Sequence, residues 1–325
     1  MLTRRSFIAS TLAILASPFG AALAQTGAWP SRLIRVVVPL PPGGSNDLVA
    51  RLVADRLQAV LGQPVIVENK PGGSGNIATE FVARQPADGY TLLVTPSSHV
   101  VNPSFFVKLP YDPVKDFEPV SLLIQTPFVL TVNANMPVAN FKEFLDYARA
   151  NPGKLNYGSA GIGQPHHLAV EMLRTKAGLD VVHVPYKGAA GIVPALLSGE
   201  IQFTIGAINS LLPHFRSGKL RALAVADSTR TPALPGVPTI GEFVPGYAMN
   251  TWTGMLAPAG TPRPIVERLS AEVNRILRDP QVVNDRLVAH GLEPKPTTPE
   301  RLQEIIKDEL AMYAKLAKDA GIKPE

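Results

Sequence analysis

The sequence predicts an α/β protein of two domains, each built on a mostly parallel β-sheet that is flanked by helices. Short apolar runs rich in β-branched residues alternate with stretches of helical periodicity, and the connections between them are short. The chain has 325 residues, which is enough for two domains that each bury a core. Residues 264–320 contain helix-like stretches and no clear strand, so we expect them to return to the first sheet and cover it. Chain crossings near Gln125 and Trp252 then assign residues 25–127 and 252–325 to the first domain and residues 128–251 to the second.

Eight short runs are predicted to be strands because they are apolar, bounded by turn residues and too short for helices. They are residues 33–38, 65–68, 91–95, 128–132, 155–158, 181–184, 201–205 and 220–225. Apolar residues at helical spacing predict helices at 47–61, 76–84, 141–150, 167–177, 191–198 and 211–217, followed by three more at 264–278, 281–289 and 299–320. The expected N-cap of the first helix is Ser45 or Asn46.

The first 24 residues are predicted to be a secretory signal peptide that is removed. An arginine pair at residues 4 and 5 precedes an uncharged, mostly apolar stretch, which ends in Ala22-Leu23-Ala24. The arginine pair followed by Phe7 resembles a twin-arginine signal, and the general secretory route is the alternative. Pro18 and Gly20 interrupt the apolar run and leave it short of the roughly 20 residues that a membrane span needs. We therefore expect a periplasmic protein without a membrane anchor.

Composition excludes several classes of function. The chain has no cysteine, which excludes disulfides, iron–sulfur clusters and thiol catalysis. Charged residues make up 18% of the chain. The lysines and arginines form no cluster of the kind that would indicate a nucleic-acid partner. No dinucleotide or P-loop fingerprint is present, so no cofactor is expected. His167 and Glu171 share a helical face, but two ligands without an H-E-x-x-H motif do not predict a metal site.

Glycine-rich loops follow several of the predicted strands and lead into helices. The stretch "PLPPGGSN" after the first strand is joined by "KPGGSGN", "GSAGIGQPHH" and "VPYKGAAG" further along the chain. One such loop could be no more than a tight turn. A glycine-rich helix start also exposes unpaired N–H groups that can hold an anion, and loops at the carboxyl ends of strands meet in one place. Four such loops, shared between two domains, predict a ligand cleft.

Enzyme motifs are incomplete. Ser159 in Tyr157-Gly158-Ser159-Ala160-Gly161 resembles a nucleophile elbow, but Tyr157 stands where that motif requires glycine. Asp47 could be a base, although at the first turn of a helix it more often complements the helix dipole. Lys187 could pair with a carboxylate or be solvated. Since no set of acid, base and nucleophile emerges, a binding protein is favoured over a secreted hydrolase.

Several blocks of the chain also resemble the Bug, or TctC-type, extracytoplasmic solute receptors. They include "VVVPLPPGGSNDLVARLVADRL", "VIVENKPGGSGNIATEFVARQPADGYTLL", "YGSAGIGQPHHLAVEML" and "VPYKGAAGIVPALLSGEIQF", and "WTGMLAPAGTP" resembles the return crossing of that family. The resemblance implies a two-domain periplasmic-binding-protein-like fold with a cleft that closes on a small carboxylate. It also implies recognition by backbone amides and ordered waters, and partners among the membrane subunits of a tripartite tricarboxylate transporter. A periplasmic sensor subunit is the alternative, and a monomer is expected.

The resemblance also implies which residues line the cleft. On the first-domain side they are Leu40, Pro42, Gly43, Gly44, Ser45, Asn46, Asn76, Ser97 and Ser98, and on the second-domain side Ser159, Gly161, Gly163, His166, Lys187, Gly188 and Ala189. The chain departs from the family at Leu40-Pro41-Pro42, where Phe-Ala-Ala is common, and the two prolines offer no N–H donor. It also has Gly206-Ala207 where the family often has Asp-Asn. That second departure favours a plain or aromatic carboxylate over an amino acid.

Overall fold

The computed structural model describes residues 29–186, 189–249 and 251–319. The strands are β1 (Ile34–Val38), β2 (Val65–Asn69), β3 (Thr91–Pro96), β4 (Phe117–Gln125), β5 (Phe128–Asn133), β6 (Asn156–Ser159), β7 (Val182–Pro185), β8 (Phe203–Ala207), β9 (Leu220–Val225), β10 (Trp252–Pro258) and β11 (Glu293–Pro294). The α-helices are α1 (Ser45–Leu61), α2 (Asn76–Ala83), α3 (Ser98–Val101), α4 (Phe141–Ala150), α5 (Pro165–Ala177), α6 (Ile192–Ser198), α7 (Ile208–Arg216), α8 (Arg263–Arg278), α9 (Pro280–Val283) and α10 (Pro299–Asp319). The predicted signal peptide lies outside the described residues.

These strands form two sheets. The larger sheet has the order β11-β4-β10-β3-β1-β2, and the smaller has the order β7-β6-β8-β5-β9. In the larger sheet β1 pairs in parallel with β2 and β3, and in the smaller sheet β6 pairs in parallel with β7 and β8. Helices flank both sheets, so the predicted α/β class is confirmed.

The pairing within each sheet is mixed rather than mostly parallel. β10 runs antiparallel to β3 and β4, and β5 runs antiparallel to β8 and β9. β4 leads into β5 through Thr126 and Pro127 alone, without a helix between them. Parallel strands need a crossover connection, usually a helix, whereas a strand that arrives directly from the other sheet can pair antiparallel. The two chain passages between the sheets therefore account for this correction.

Three strands of the larger sheet, β4, β10 and β11, were not predicted, and the expectation of a C-terminal part without a strand was wrong. β4 contains Glu118 and Pro119, and β10 contains Gly254 and has two register shifts against β4. Both depart from the alternating β-branched pattern that predicts strands. β11 is a two-residue edge strand that pairs with β4. The helix predicted at 281–289 is also shorter, since α9 ends at Val283 and residues 288–290 form a 3₁₀ turn.

Apolar packing holds the helices against the sheets. Val53 and Leu57 of α1 and Leu269 and Val273 of α8 are buried in one cluster with Val36 of the larger sheet. On the smaller sheet a second cluster includes the buried rings of Phe144, Tyr157 and Phe203, and it also contains Leu168 of α5. The ring of Phe203 packs edge-on against Phe144 and at a tilt against Tyr157. Each sheet therefore carries its helices on a packed apolar surface. No helix within the described ranges combines the length and apolarity that crossing a membrane would require.

Candidate functional site

Loops from both sheets meet where the chain passes between them. The residues predicted to line a cleft follow β1, β2 and β3 on the larger sheet: Leu40, Pro42, Gly43, Gly44, Ser45, Asn46, Asn76, Ser97 and Ser98. On the smaller sheet Ser159 ends β6, Gly161, Gly163 and His166 follow it, and Ala189 begins a 3₁₀ turn after β7. Lys187 and Gly188 lie outside the described residues. At the passages themselves, Thr126 N–H donates to Thr251 O at 2.8 Å.

The loop after β1, residues 39–46, is held by the carboxylate of Asp47. That carboxylate accepts from Gly43 N–H at 2.9 Å, from Arg51 Nε at 3.0 Å and from Asn69 Nδ2 at 2.9 Å. Burial alone raises the pKa of Asp47, but the hydrogen bonds from Arg51, Gly43 and Asn69 outweigh it and lower the pKa. Because these bonds keep it ionised, Asp47 anchors the loop and is poorly suited to act as a base.

The two glycines at the tip of this loop differ in whether their backbone conformation favours glycine. Gly43 has a φ of 90°, a conformation that favours glycine. Gly44 has a φ of −79°, and a Cβ there would meet no protein atom within 4 Å. Gly44, rather than the predicted Ser45 or Asn46, is the N-cap of α1, and no side chain caps the helix. The first N–H groups of α1 are therefore left without a side-chain acceptor.

Asn46 and Asn76 are buried, and their side chains bond within the larger-sheet half of the molecule. Asn46 Nδ2 donates to Thr253 Oγ1 at 2.7 Å. Asn76 Oδ1 accepts from Asn102 Nδ2 and from Tyr111 OH, each at 2.7 Å. These contacts fix the starts of α1 and α2 against β10 and the segment after β3.

Two histidines, His167 and His183, hold the loop after β6 (residues 160–164) in place. Ser159 Oγ lies 2.6 Å from His183 Nε2 and accepts from Gly161 N–H at 3.1 Å. Gly163 N–H donates to His167 Nδ1 at 3.1 Å, and the rings of His167 and His183 stack at 4.3 Å. Ser159 is fully buried, so its hydroxyl positions this loop and offers no accessible nucleophile.

The carboxylate of Glu171 is hydrogen-bonded to two neighbouring side chains. It accepts from Tyr157 OH at 2.8 Å and from Arg174 Nε at 2.8 Å. In the part of the chain that the structure describes, no group of three or more His, Cys, Asp or Glu side chains could hold a metal ion.

The loops of the two sheets touch. A Cβ on Gly163 would lie 2.8 Å from the ring of Phe105, which follows α3 on the larger-sheet side. Gln164 Nε2 approaches Ser74 Oγ at 3.5 Å. Gly163 has a φ of 76°, so both its conformation and its close approach to Phe105 require glycine. The cleft is thus bridged on this side by residues 163 and 164.

Three buried polar atoms at these loops have no hydrogen-bond partner among the described residues. They are Ser97 Oγ after β3, His166 Nδ1 in the first turn of α5 and Asn209 Oδ1 in the first turn of α7. Burial lowers the pKa of His166 to about 4, so its ring is neutral at pH 7. Buried polar groups are usually paired, which makes these atoms candidates to meet a ligand. Asn209 was not predicted; its position just after the β8 run was the available signal.

Charge in this region is arranged for an anion without an arginine clamp. Within the described residues, the loops at 39–46, 72–76, 95–98 and 158–166 contain neither lysine nor arginine. Of the nearest cations, Arg51 pairs with Asp47 and Lys70 pairs with Glu68 at 2.6 Å. Neither α1 nor α5 has a side-chain cap at its start. Unpaired N–H groups and hydroxyls are therefore the available donors.

A pocket of about 360 Å³ lies away from these loops and is not part of the candidate site. Its lining includes Asn133, Lys154 and Gln202. Asn133 is the last residue of β5, and Gln202 precedes β8. The pocket therefore lies at the end of these strands opposite to the candidate site.

Two helix-flanked sheets joined by two chain passages, with donor-rich loops meeting between them, define the class of two-domain solute-binding proteins. The profile described as "Tripartite tricarboxylate transporter family receptor" (TctC) matches residues 49–322. The chain belongs to this family of receptors, which confirms the resemblance seen in its sequence blocks.

Named relatives span nearly the whole chain. BugT of Bordetella pertussis (strain Tohama I) is 35% identical over 306 residues, which are 93% of this chain and 94% of BugT. The structure of R. palustris Rpa4515 with adipate has a TM-score of 0.82 and 37% identity, and the match covers 91% of this chain and 100% of that one. MatC from Rhodopseudomonas palustris with bound malate has a TM-score of 0.76 and 35% identity, covering 88% and 99%.

Proposed function

We propose that this protein is a periplasmic solute receptor that captures a small carboxylate between its two sheets and delivers it to membrane subunits of a tripartite tricarboxylate transporter. The observation that carries the proposal is the meeting of uncapped helix starts and unpartnered buried polar atoms from both sheets. Ser97 Oγ comes from the larger-sheet side and His166 Nδ1 from the smaller. The adipate and malate of the two structural neighbours support a carboxylate as the ligand class.

The domain division follows from strand membership. β1–β4, β10 and β11 belong to one sheet and β5–β9 to the other. This supports a first domain of residues 25–127 and 252–325 and a second of residues 128–251, with the predicted signal peptide removed. A ligand held by loops of both domains favours the closed arrangement by the difference in its affinity for the two states.

Binding without turnover is the proposed activity. The family to which the chain belongs is described as one of receptors, and Ser159 is buried beside His183, so its hydroxyl is not accessible as a nucleophile. NMR spectra of a carboxylate before and after incubation with the protein should be identical. Consumption of the ligand would contradict this assignment.

A thermal-shift screen over mono-, di- and tricarboxylates, with amino acids as a comparison set, tests the ligand class. A carboxylate at 100 times its dissociation constant is expected to stabilise the folded protein by about 2.7 kcal/mol. For a chain of this size that free energy raises Tm by a few degrees. Stabilisation by amino acids alone would contradict the proposed ligand class.

A further inference from the structure

A small pocket opens beside His166 at the carboxyl edge of the smaller sheet. It is lined by His166, Ile192, Val193, Thr204, Gly206, Ser210 and Leu211, and its volume is about 10 Å³. That is room for about one water molecule or methyl group. The lining comes from α5, α6, β8 and α7, and the starts of these helices and the end of β8 also face the candidate site.

The pocket presents no charge to a ligand. Ile192 and Leu211 are buried apolar residues. The hydroxyls of Thr204 and Ser210 donate to main-chain carbonyls, each at 2.9 Å. His166 packs its ring against Phe128 with centroids 4.9 Å apart, and its buried imidazole is neutral at pH 7.

The pocket exists because residue 206 is glycine. A Cβ there would lie 3.4 Å from His166 Cδ2 and 3.7 Å from Leu211 Cδ1. Gly206 is not among the residues with positive φ, so a larger side chain meets no backbone strain. Such a side chain would instead occupy the pocket.

We propose that this pocket receives an uncharged, methyl-sized end of the ligand, so that the receptor prefers a monocarboxylate to the dicarboxylate of equal chain length. The inference rests on the proposed carboxylate-binding function. The single carboxylate is held by the N–H groups at the helix starts. A second carboxylate in the pocket would lose its hydration. Among the described residues no cation lines the pocket to pair with it, and burying an unpaired charge is strongly unfavourable.

Titration calorimetry with hexanoate and adipate tests this preference, because the two differ only in a methyl or a carboxylate at one end. Hexanoate is expected to bind at least tenfold more tightly than adipate. Gly206→Val is expected to weaken hexanoate binding at least tenfold and to remove the preference. The control is Gly236→Val, since Gly236 is exposed and has no atom within 4 Å of its Cβ position. It should bind hexanoate as the parent does.

The outcomes separate the two proposals. If adipate binds as tightly as hexanoate or more tightly, the pocket assignment is overturned while the carboxylate receptor stands. If neither binds and no carboxylate stabilises the protein in the thermal-shift screen, both proposals fail. Circular dichroism checks that Gly206→Val is folded. Should it not fold, Gly206→Ala, which adds one methyl group at ordinary contact distance, replaces it, and unchanged hexanoate affinity in that variant overturns the assignment.

Discussion

Gly44 is exposed at the start of α1, and its backbone could be adopted by any residue because its φ is −79°. No protein atom lies within 4 Å of the position its Cβ would take, so the space in front of it is open to a ligand. Gly44→Val is therefore expected to leave the fold intact and to weaken carboxylate binding at least tenfold, because the side chain blocks close approach to the helix start. Calorimetry measures the affinity, with Gly236→Val as the matched control. Unaltered affinity would remove residues 39–46 from the site.

At the scale of elements, the Asp47 carboxylate joins the loop after β1 to helix α1 and strand β2. Asp47→Ala removes the acceptor for Gly43 N–H, Arg51 and Asn69 together. We expect a loss of about 1–3 kcal/mol in the free energy of unfolding, measured by urea denaturation, and weaker ligand binding as the loop loosens. Asp55→Ala serves as the control, since Asp55 lies on the same helix with its side chain 77% exposed. Equal stability of the two variants would show that Asp47 does not anchor the loop.

Elements whose pattern is local were predictable, and those that depend on distant pairing were not. α1 and β1 carry their periodicity within a few residues, and both were found near their predicted bounds. β4 is stabilised by β10 and β11 on either side, so its Glu118 and Pro119 are tolerated in a way that its own sequence does not indicate. The pattern of glycine-rich loops after strands is the sequence signal that predicts the candidate site. It could not reveal the bond between Asp47 and Asn69 or the unpartnered Asn209, because both depend on packing between segments that are distant in sequence.

At the scale of the whole molecule, the contacts of Gly163 with Phe105 and of Gln164 with Ser74 bridge the two sheets. A ligand that binds loops from both sides should increase the population of this bridged arrangement. Solution scattering is expected to give a smaller radius of gyration when a carboxylate found in the screen is added. Identical scattering profiles, with binding shown separately by calorimetry, would place the ligand in a rigid pocket on one domain.

One buried and one partly buried carboxyl group lie where the chain passes between the sheets. Asp227, which follows β9 and is 2% exposed, accepts from Gln125 Nε2 of β4 at 2.8 Å. Glu309 of α10 accepts from Trp252 Nε1 of β10 at 2.7 Å. Burial raises the pKa of each to about 7. In the unfolded chain both ionise near pH 4, so the folded protein holds more protons between about pH 4 and pH 7. These two groups therefore make the protein less stable as pH rises through that window.

Three histidines act in the opposite direction and mask this effect in the parent protein. Burial lowers the pKa of His99, His166 and His183 to about 4, so their contribution to stability is present above pH 6.5 and is lost as pH falls towards 4. A variant that removes one carboxyl group separates the contribution of the carboxyl groups from that of the histidines. Asp227→Asn keeps an oxygen for Gln125 and cannot ionise, so it resembles the protonated Asp227. Its free energy of unfolding relative to the parent should rise between pH 4 and pH 8 by about 2–4 kcal/mol. Urea denaturation at several pH values measures this difference, and Asp55→Asn controls for the loss of a surface charge. A difference between Asp227→Asn and the parent that does not change with pH would show that folding does not raise the pKa of Asp227.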